Sequence, residues 1–173
     1  PEHLGDRVEF RVADLVGVVL DEDAYDVESL LVDMMLPAES VVDALKKIHR
    51  ALRAGGLLLD CHPVPEPASI EVRTGAGSTL VGQLEYSSEF EQAISNAEGA
   101  LASLSREGVF TRQSSVEYQF LIHFESAAEW LEYFEYWASY YAPMPDGLMQ
   151  SIEDLAKVTG AEVVLDTKCS GTT

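Results

Sequence analysis

"RALRAGGLLLD", residues 50–60, decides the fold. Upstream of it Val41, Leu45, Ile48 and Leu52 recur at steps of four, three and four, which places them on one helical face. Ser40 and Asp43 have the spacing of a capping box and predict the start of that helix. Gly55 and Gly56 are expected to stop it, because glycine takes the left-handed backbone angles of a helix end. Leu57, Leu58 and Leu59 then continue as a buried strand that closes on Asp60. Before the helix, "DVESLLVDMML" begins at Asp26 as another apolar strand and runs up to Pro37. Strand, helix and strand at this spacing predict a right-handed parallel crossover unit.

Outward from this unit, "VEFRV" (residues 8–12) alternates as a strand does. In residues 63–86 "PVPEP" reads as an extended linker, and "SIEV" and "TLVGQL" flank Gly75, Ala76 and Gly77 like a hairpin. Gly75 and Gly77 do not read as a displaced cofactor loop, because "STLVGQL" after them is extended and such a loop needs a helix start behind it. Ser88 and Glu91 open a helix whose inner face carries Phe90, Ile94, Ala97, Leu101 and Leu104 and which ends near Gly108. "SVEYQFLIHF" (115–124) is the clearest alternating strand, with Val116, Tyr118, Phe120, Ile122 and Phe124 on one side. Ser126 and Glu129 cap "AAEWLEYFEYWASYY", a fourth helix ends at Gly160, and "AEVVLDTKCSGTT" is a last strand. The expectation is one α/β domain over residues 1–173. Residues 63–86 form a linker and hairpin insertion, and 87–160 a helical, aromatic region around one further strand.

The 173 residues are 47% hydrophobic, enough for a packed core. No apolar run reaches the ~18 residues of a membrane span. Asp and Glu total 30 against 11 Lys and Arg, a formal charge of −19. That balance argues against nucleic acid and anionic membrane as partners. Two isolated cysteines, Cys61 and Cys169, form neither a zinc spacing nor a disulfide framework, so a cytoplasmic location is expected. The chain opens on Pro1 rather than Met, which points to a processed, trimmed or partial sequence.

The order of these elements, with "GDRVEFRVADL", "YDVESLLVDMMLP" and "ALKKIHRALRAGGLLLD", resembles the back part of class I S-adenosylmethionine-dependent methyltransferases. The matching words are Asp14-Leu15 after the third strand, Tyr25-Asp26 opening the fourth, and Arg50 to Gly56 before the fifth. Ala54 stands where the family usually has proline. The resemblance implies a three-layer, Rossmann-like α/β sheet, mostly parallel with an antiparallel C-terminal strand, and N-terminally truncated. The strand order it implies is 3-2-1-4-5-7-6. The family's glycine-rich loop and its ribose-binding acid should precede "GDRVEF" and have no counterpart in the chain.

By the same resemblance Asp14 would accept a hydrogen bond from the adenine amine of S-adenosylmethionine, with Leu15 beside the ring. Val32 and Asp33 would face the reacting methyl group. Each acid has a plainer reading as well: Asp14 as a turn cap, Asp33 as a solvated strand end. Asp33 and His62 are the catalytic candidates, since a positioned carboxylate or a group titrating near neutrality can act as a base. Methyl transfer from a sulfonium needs alignment more than a base, so His62 reads first as an ordinary strand-end residue. Glu28 sits on a strand expected to be buried on both faces, where a charge must be paired or exposed.

Seven of the chain's fifteen aromatics fall on one helix. Trp130, Phe134, Trp137 and Tyr141 form one stripe, and Tyr133, Tyr136 and Tyr140 another. One stripe serves the core. The second implies a cover, either packing and a homodimer or a substrate pocket at Trp130, Tyr133 and Trp137. The function these readings imply is S-adenosylmethionine-dependent methyl transfer to a small-molecule acceptor, with the cofactor site incomplete in this chain. The alternative is a non-catalytic methyltransferase-like remnant serving as an interaction or dimerisation domain. In either case "VEFRV" is expected to pair directly with "DVESLLV", because losing the first two strands would leave both with bare edges.

Overall fold

"EVVLDTKCSGT" carries Val163, Val164 and Leu165 in succession, and all three are at most 1% exposed. A strand buried on both faces belongs inside a sheet rather than at its rim. In the computed structural model, which describes residues 17–31 and 37–173, this segment is the central strand β6 (Glu162–Thr172). Strand β5 (Ser115–Phe124) pairs antiparallel along one edge of it. The other edge is shared: β2 (Leu52–Pro63) takes residues 169–172, and β3 (Ala68–Thr74) takes residues 162–166, both antiparallel. Outside β2 lies β1 (Tyr25–Leu31), parallel to it. Outside β3 lies β4 (Gly77–Leu84), joined to it through the predicted hairpin turn at Gly75 and Ala76.

One ladder among the described residues is parallel and four are antiparallel, which corrects the expectation of a mostly parallel sheet. The cause is the hairpin. It is not a detached insertion, because β3 hydrogen-bonds to the half of β6 that β2 leaves free. Since β6 opposes both β2 and β5, those two share a direction with β1. Read across β1, β2, β6 and β5, the order is the 4-5-7-6 that the resemblance implies, with the last strand in the chain reversed between its neighbours. The strand expected at residues 8–12 and its pairing with β1 lie outside the described residues.

Helix α1 (Ala38–Ala51) buries the predicted face, with Val41, Leu45 and Ile48 at most 2% exposed. It begins earlier than the Ser40 box implied: Pro37 is the N-cap, and its carbonyl accepts from the Ser40 and Val41 amides. The glycines do not end this helix. Leu52 is already extended, and β2 begins there. Tyr25 pairs with Leu52 and Val27 with Leu57, so residues 53–56 bulge out of the ladder. Gly55, at φ +80°, makes that bulge possible.

Helix α2 (Ser88–Arg106) starts one residue from the predicted cap, with Ser87 accepting from the Phe90 amide. Its Ala97, Ala100 and Leu104 pack with α1 and with Leu52 and Leu58 of β2. The opposite face of the sheet is covered by α3 (Ala127–Tyr136) and α4 (Leu148–Leu155), where Trp130, Leu148 and Ile152 meet Ile70, Val72, Val163 and Leu165. Ser126 caps α3 as predicted. The aromatic helix is shorter than expected, however: it stops at Tyr136, and a 3₁₀ turn at Ala138–Tyr140 follows. Hence the two stripes do not continue as predicted. Trp130 is fully buried, Trp137 half-buried and Tyr136 77% exposed.

Candidate functional site

Alternation along "LLLDCHP" turns Leu58, Asp60 and His62 to the side of the sheet that α1 and α2 cover. Asp60 is 3% exposed and His62 4%. Helix α2 adds Glu98. The imidazole Nε2 of His62 lies 3.6 Å from Asp60 Oδ2 and 3.7 Å from Glu98 Oε1. Both distances exceed a hydrogen bond. The other ring nitrogen, Nδ1, is 3.0 Å from the Pro63 carbonyl oxygen, an acceptor only, so Nδ1 carries a proton and donates. Asp60 Oδ1 has no hydrogen-bond partner. Burial raises the Asp60 pKa above the ordinary carboxylate value; His62 opposes the rise and Glu98 adds to it. The cluster therefore gathers two carboxyls around one imidazole nitrogen, at 3.6 and 3.7 Å. Sequence reading singled out His62 but not Glu98, one of several acids on α2, which only tertiary packing brings across.

These residues line a cavity of about 960 Å³. Its walls come from β2 between Leu52 and His62, the end of α2 with the following loop, and the last residues of β6. Leu57, Leu101, Val109 and Phe110 supply apolar surface, and Arg50 and Arg112 supply positive charge. Ligands of open α/β sheets ordinarily sit at the carboxyl ends of the parallel strands, which here are at Leu31 and Pro63. The cavity runs along β2 from Leu52 to His62 instead of sitting beyond those two ends alone. It does contain Gly55 and Gly56, but they lead into a strand, not a helix start, and so gather no converging N–H groups for an anionic or ribose-bearing ligand. The cavity does not fit S-adenosylmethionine in the manner the resemblance implies.

Asp14, Leu15, Val32 and Asp33 lie outside the described residues. Trp130 is enclosed in the core, with its indole Nε1 lacking a partner. Tyr133 packs on Phe124 with ring centroids 5.1 Å apart, and its hydroxyl is hydrogen-bonded to that of Tyr141. Burial raises the pKa of both tyrosines. Trp137 meets Tyr133 at a tilt and Tyr136 and Tyr140 edge-on. The three substrate candidates are thus drawn into one aromatic group, with Trp130 and Tyr133 in the cluster that α3 and α4 form on the other face of the sheet. Tyr86 joins this group from the loop before α2; burial pushes its pKa up to about 12.

The chain is similar in structure to geranyl diphosphate methyltransferases. One was solved with geranyl diphosphate and sinefungin, at 14% identity and a TM-score of 0.41, covering 96% of this chain and 56% of that one. Another, solved with S-adenosylmethionine, gives the same identity and score and 60% coverage of its own chain. The enzyme from Streptomyces coelicolor A3(2), with Mg²⁺, geranyl diphosphate and S-adenosyl-L-homocysteine, is 13% identical at a TM-score of 0.41, with 96% and 55% covered. This chain therefore spans somewhat over half the length of the solved structures it matches. No family model and no curated protein matches it. Among the described residues no helix is long and apolar enough to cross a membrane, no group of His, Cys, Asp and Glu is arranged to hold a metal ion, and Cys61 and Cys169 are free thiols.

Proposed function

We propose that this chain is part of a class I methyltransferase that moves a methyl group from S-adenosylmethionine to a small-molecule acceptor in the cytoplasm. The observation that supports it is the sheet order β1, β2, β6, β5, with the C-terminal strand reversed between two strands of common direction. That arrangement coincides with the words "YDVESLLVDMMLP" and "ALRAGGLLLD" at the positions the resemblance assigns to them. Fold alone does not establish chemistry, and it is this joint agreement of topology and motif that the reading rests on.

In this reading Asp14 and Leu15 hold the adenine, Val32 borders the cofactor, and Asp33 stands nearest the reacting centre. The acceptor lies against Tyr133 and Trp137, while Trp130 supports them from the core. The cofactor would supply an electrophilic methyl on a sulfonium. The glycine-rich loop and ribose acid have no counterpart in residues 1–173, so the chain by itself holds only the adenine side. Calorimetry is expected to give an affinity for S-adenosylmethionine weaker than about 1 mM, roughly 4 kcal/mol of binding. At saturating S-adenosylhomocysteine, NMR shifts are expected at Asp14, Leu15 and Val32 and not along the cavity at Arg50 and Phe110. Shifts confined to that cavity, or none anywhere, overturn the proposal.

The alternative, a non-catalytic interaction domain, is favoured by the apolar exposure of β5, where Val116 and Phe120 are 60% and 51% exposed. It predicts no shift at Asp14, Leu15 or Val32 at any cofactor concentration.

A further inference from the structure

Late in β2 three polar side chains converge on the cavity and bring acceptors without a donor to match them. The His62 Nδ1–H is committed to the Pro63 carbonyl, so the neutral ring offers Nε2 as an acceptor. Beside it stand Asp60 Oδ2 at 3.6 Å and Glu98 Oε1 at 3.7 Å, both acceptors when ionised. Protonating the ring does not repair this, because both distances exceed a hydrogen bond. Asp60 is 3% exposed and lines the cavity, and its Oδ1 has no hydrogen-bond partner. A buried carboxyl in this condition costs free energy unless a donor or a positive charge is brought to it. The methyl-transfer reading places no role on any of the three carboxyl and imidazole groups.

We propose that this cavity binds a small monoamine, its ammonium held by Asp60 and Glu98 beside His62 and its apolar body laid against Leu58, Leu101 and Phe110. A primary ammonium carries one positive charge and three N–H donors, which answers two carboxyls and one ring nitrogen. The apolar wall begins directly beside the charged end. Leu58 precedes Asp60 by two residues on the same side of β2, and Leu101 follows Glu98 by about one turn of α2. Val109 and Phe110 extend that wall from the loop after α2. A cavity of about 960 Å³ with apolar walls and a few convergent polar groups has the make-up of a small-molecule site. Charge selects a single amine: Arg50 and Arg112 line the same cavity, so a second ammonium would meet its own sign. Among the described residues no group of His, Cys, Asp and Glu is arranged to hold a metal ion, which leaves an organic cation as the occupant.

The test is an NMR titration of the full chain at neutral pH with three probes that share a phenyl body. Phenethylamine carries the ammonium, 2-phenylethanol a neutral hydroxyl, and 3-phenylpropionate a carboxylate. At millimolar phenethylamine, amide shifts are expected at Asp60, His62, Glu98 and Leu101. The alcohol and the acid are expected to bind at least about tenfold more weakly, the scale of one hydrogen bond to a charged group. Asp60→Asn and Glu98→Gln are each expected to weaken phenethylamine by a similar factor. The Glu98 side chain is 56% exposed, so its variant keeps the fold and carries the test even if Asp60→Asn does not. Absence of shifts at these four residues overturns the proposal, as does equal binding of the alcohol, which makes the charge irrelevant. Tighter binding of the acid also overturns it, because the arginines would then be holding an anion. So does an unchanged affinity in Glu98→Gln. None of the probes donates a methyl group, so the outcome is independent of S-adenosylmethionine binding.

Discussion

Asp60 is 3% exposed, and burying a carboxyl is costly unless it is paired or protonated. Its carboxyl lies on the covered face of β2 with one oxygen unpartnered, and burial holds its pKa above the unfolded value. A raised acid favours the folded state while it is protonated. That contribution is complete below the ordinary carboxylate pKa of about 3.9 and is lost as pH rises through the folded value. Stability from this group therefore falls toward neutral pH. Asp60→Asn, which stays neutral, is expected to be at least as stable as the parent at pH 7 and to flatten the pH dependence above the carboxylate range. Urea midpoints measured across a pH series decide it. A lower midpoint for the variant at neutral pH would show instead that an ionised Asp60 is held favourably by His62.

At the scale of elements, the contact between β4 and α4 depends on a missing side chain. A Cβ built on Gly82 would lie 2.7 Å from Leu148 Cδ1, closer than real Cβ atoms come, and Leu148 is 5% exposed in the cluster around Trp130. Gly82→Ala is expected to destabilise the chain by about 1–3 kcal/mol through overpacking. Adding Leu148→Ala should cost less in that background than alone, because each change makes room for the other. Strictly additive losses in a denaturation double-mutant cycle would remove Gly82 from this role. Gly55 and Gly56 act differently: they allow β2 to bulge and rejoin β1, and the helix before them ends without their help.

For the whole molecule the excess of acid matters. With 30 Asp and Glu against 11 Lys and Arg, self-repulsion opposes the compact state, and added salt screens it over a Debye length of about 8–10 Å. The melting temperature is expected to rise between low salt and ~0.5 M sodium chloride, a range in which the screening length falls well below the molecular diameter. A flat or falling midpoint would mean that ion pairs such as Lys168 with Glu66 and Glu117 outweigh the general repulsion. The same screening should tighten any contact between two copies.

Local pattern was sufficient for much of this chain. The buried faces of α1 and α2, the hairpin at Gly75 and Ala76, the Ser126 cap and the limits of β5 are all legible in residue spacing, because helical and strand periods and turn chemistry act within a few residues. Spacing says which side of an element is apolar. What covers that side depends on segments far away in the chain. So the β3–β4 hairpin was readable but its place beside β6 was not, and the alternation of Val116, Tyr118 and Phe120 gave no sign that their face would stay open. Asp60 and His62 stood out near one another in sequence, yet Glu98 and the cavity arise only when α2 crosses β2. Nor could the helical period of the aromatic segment show that the helix ends at Tyr136, since that depends on Tyr140 and Tyr141 turning back to meet Tyr86 and Phe90. Sequence determined the elements and their inner faces through short-range sterics and hydrogen bonding. Tertiary structure alone decided where the β3–β4 hairpin joins the sheet, the buried carboxyl–imidazole cluster and the open edge, because each depends on which distant surfaces exclude water from one another.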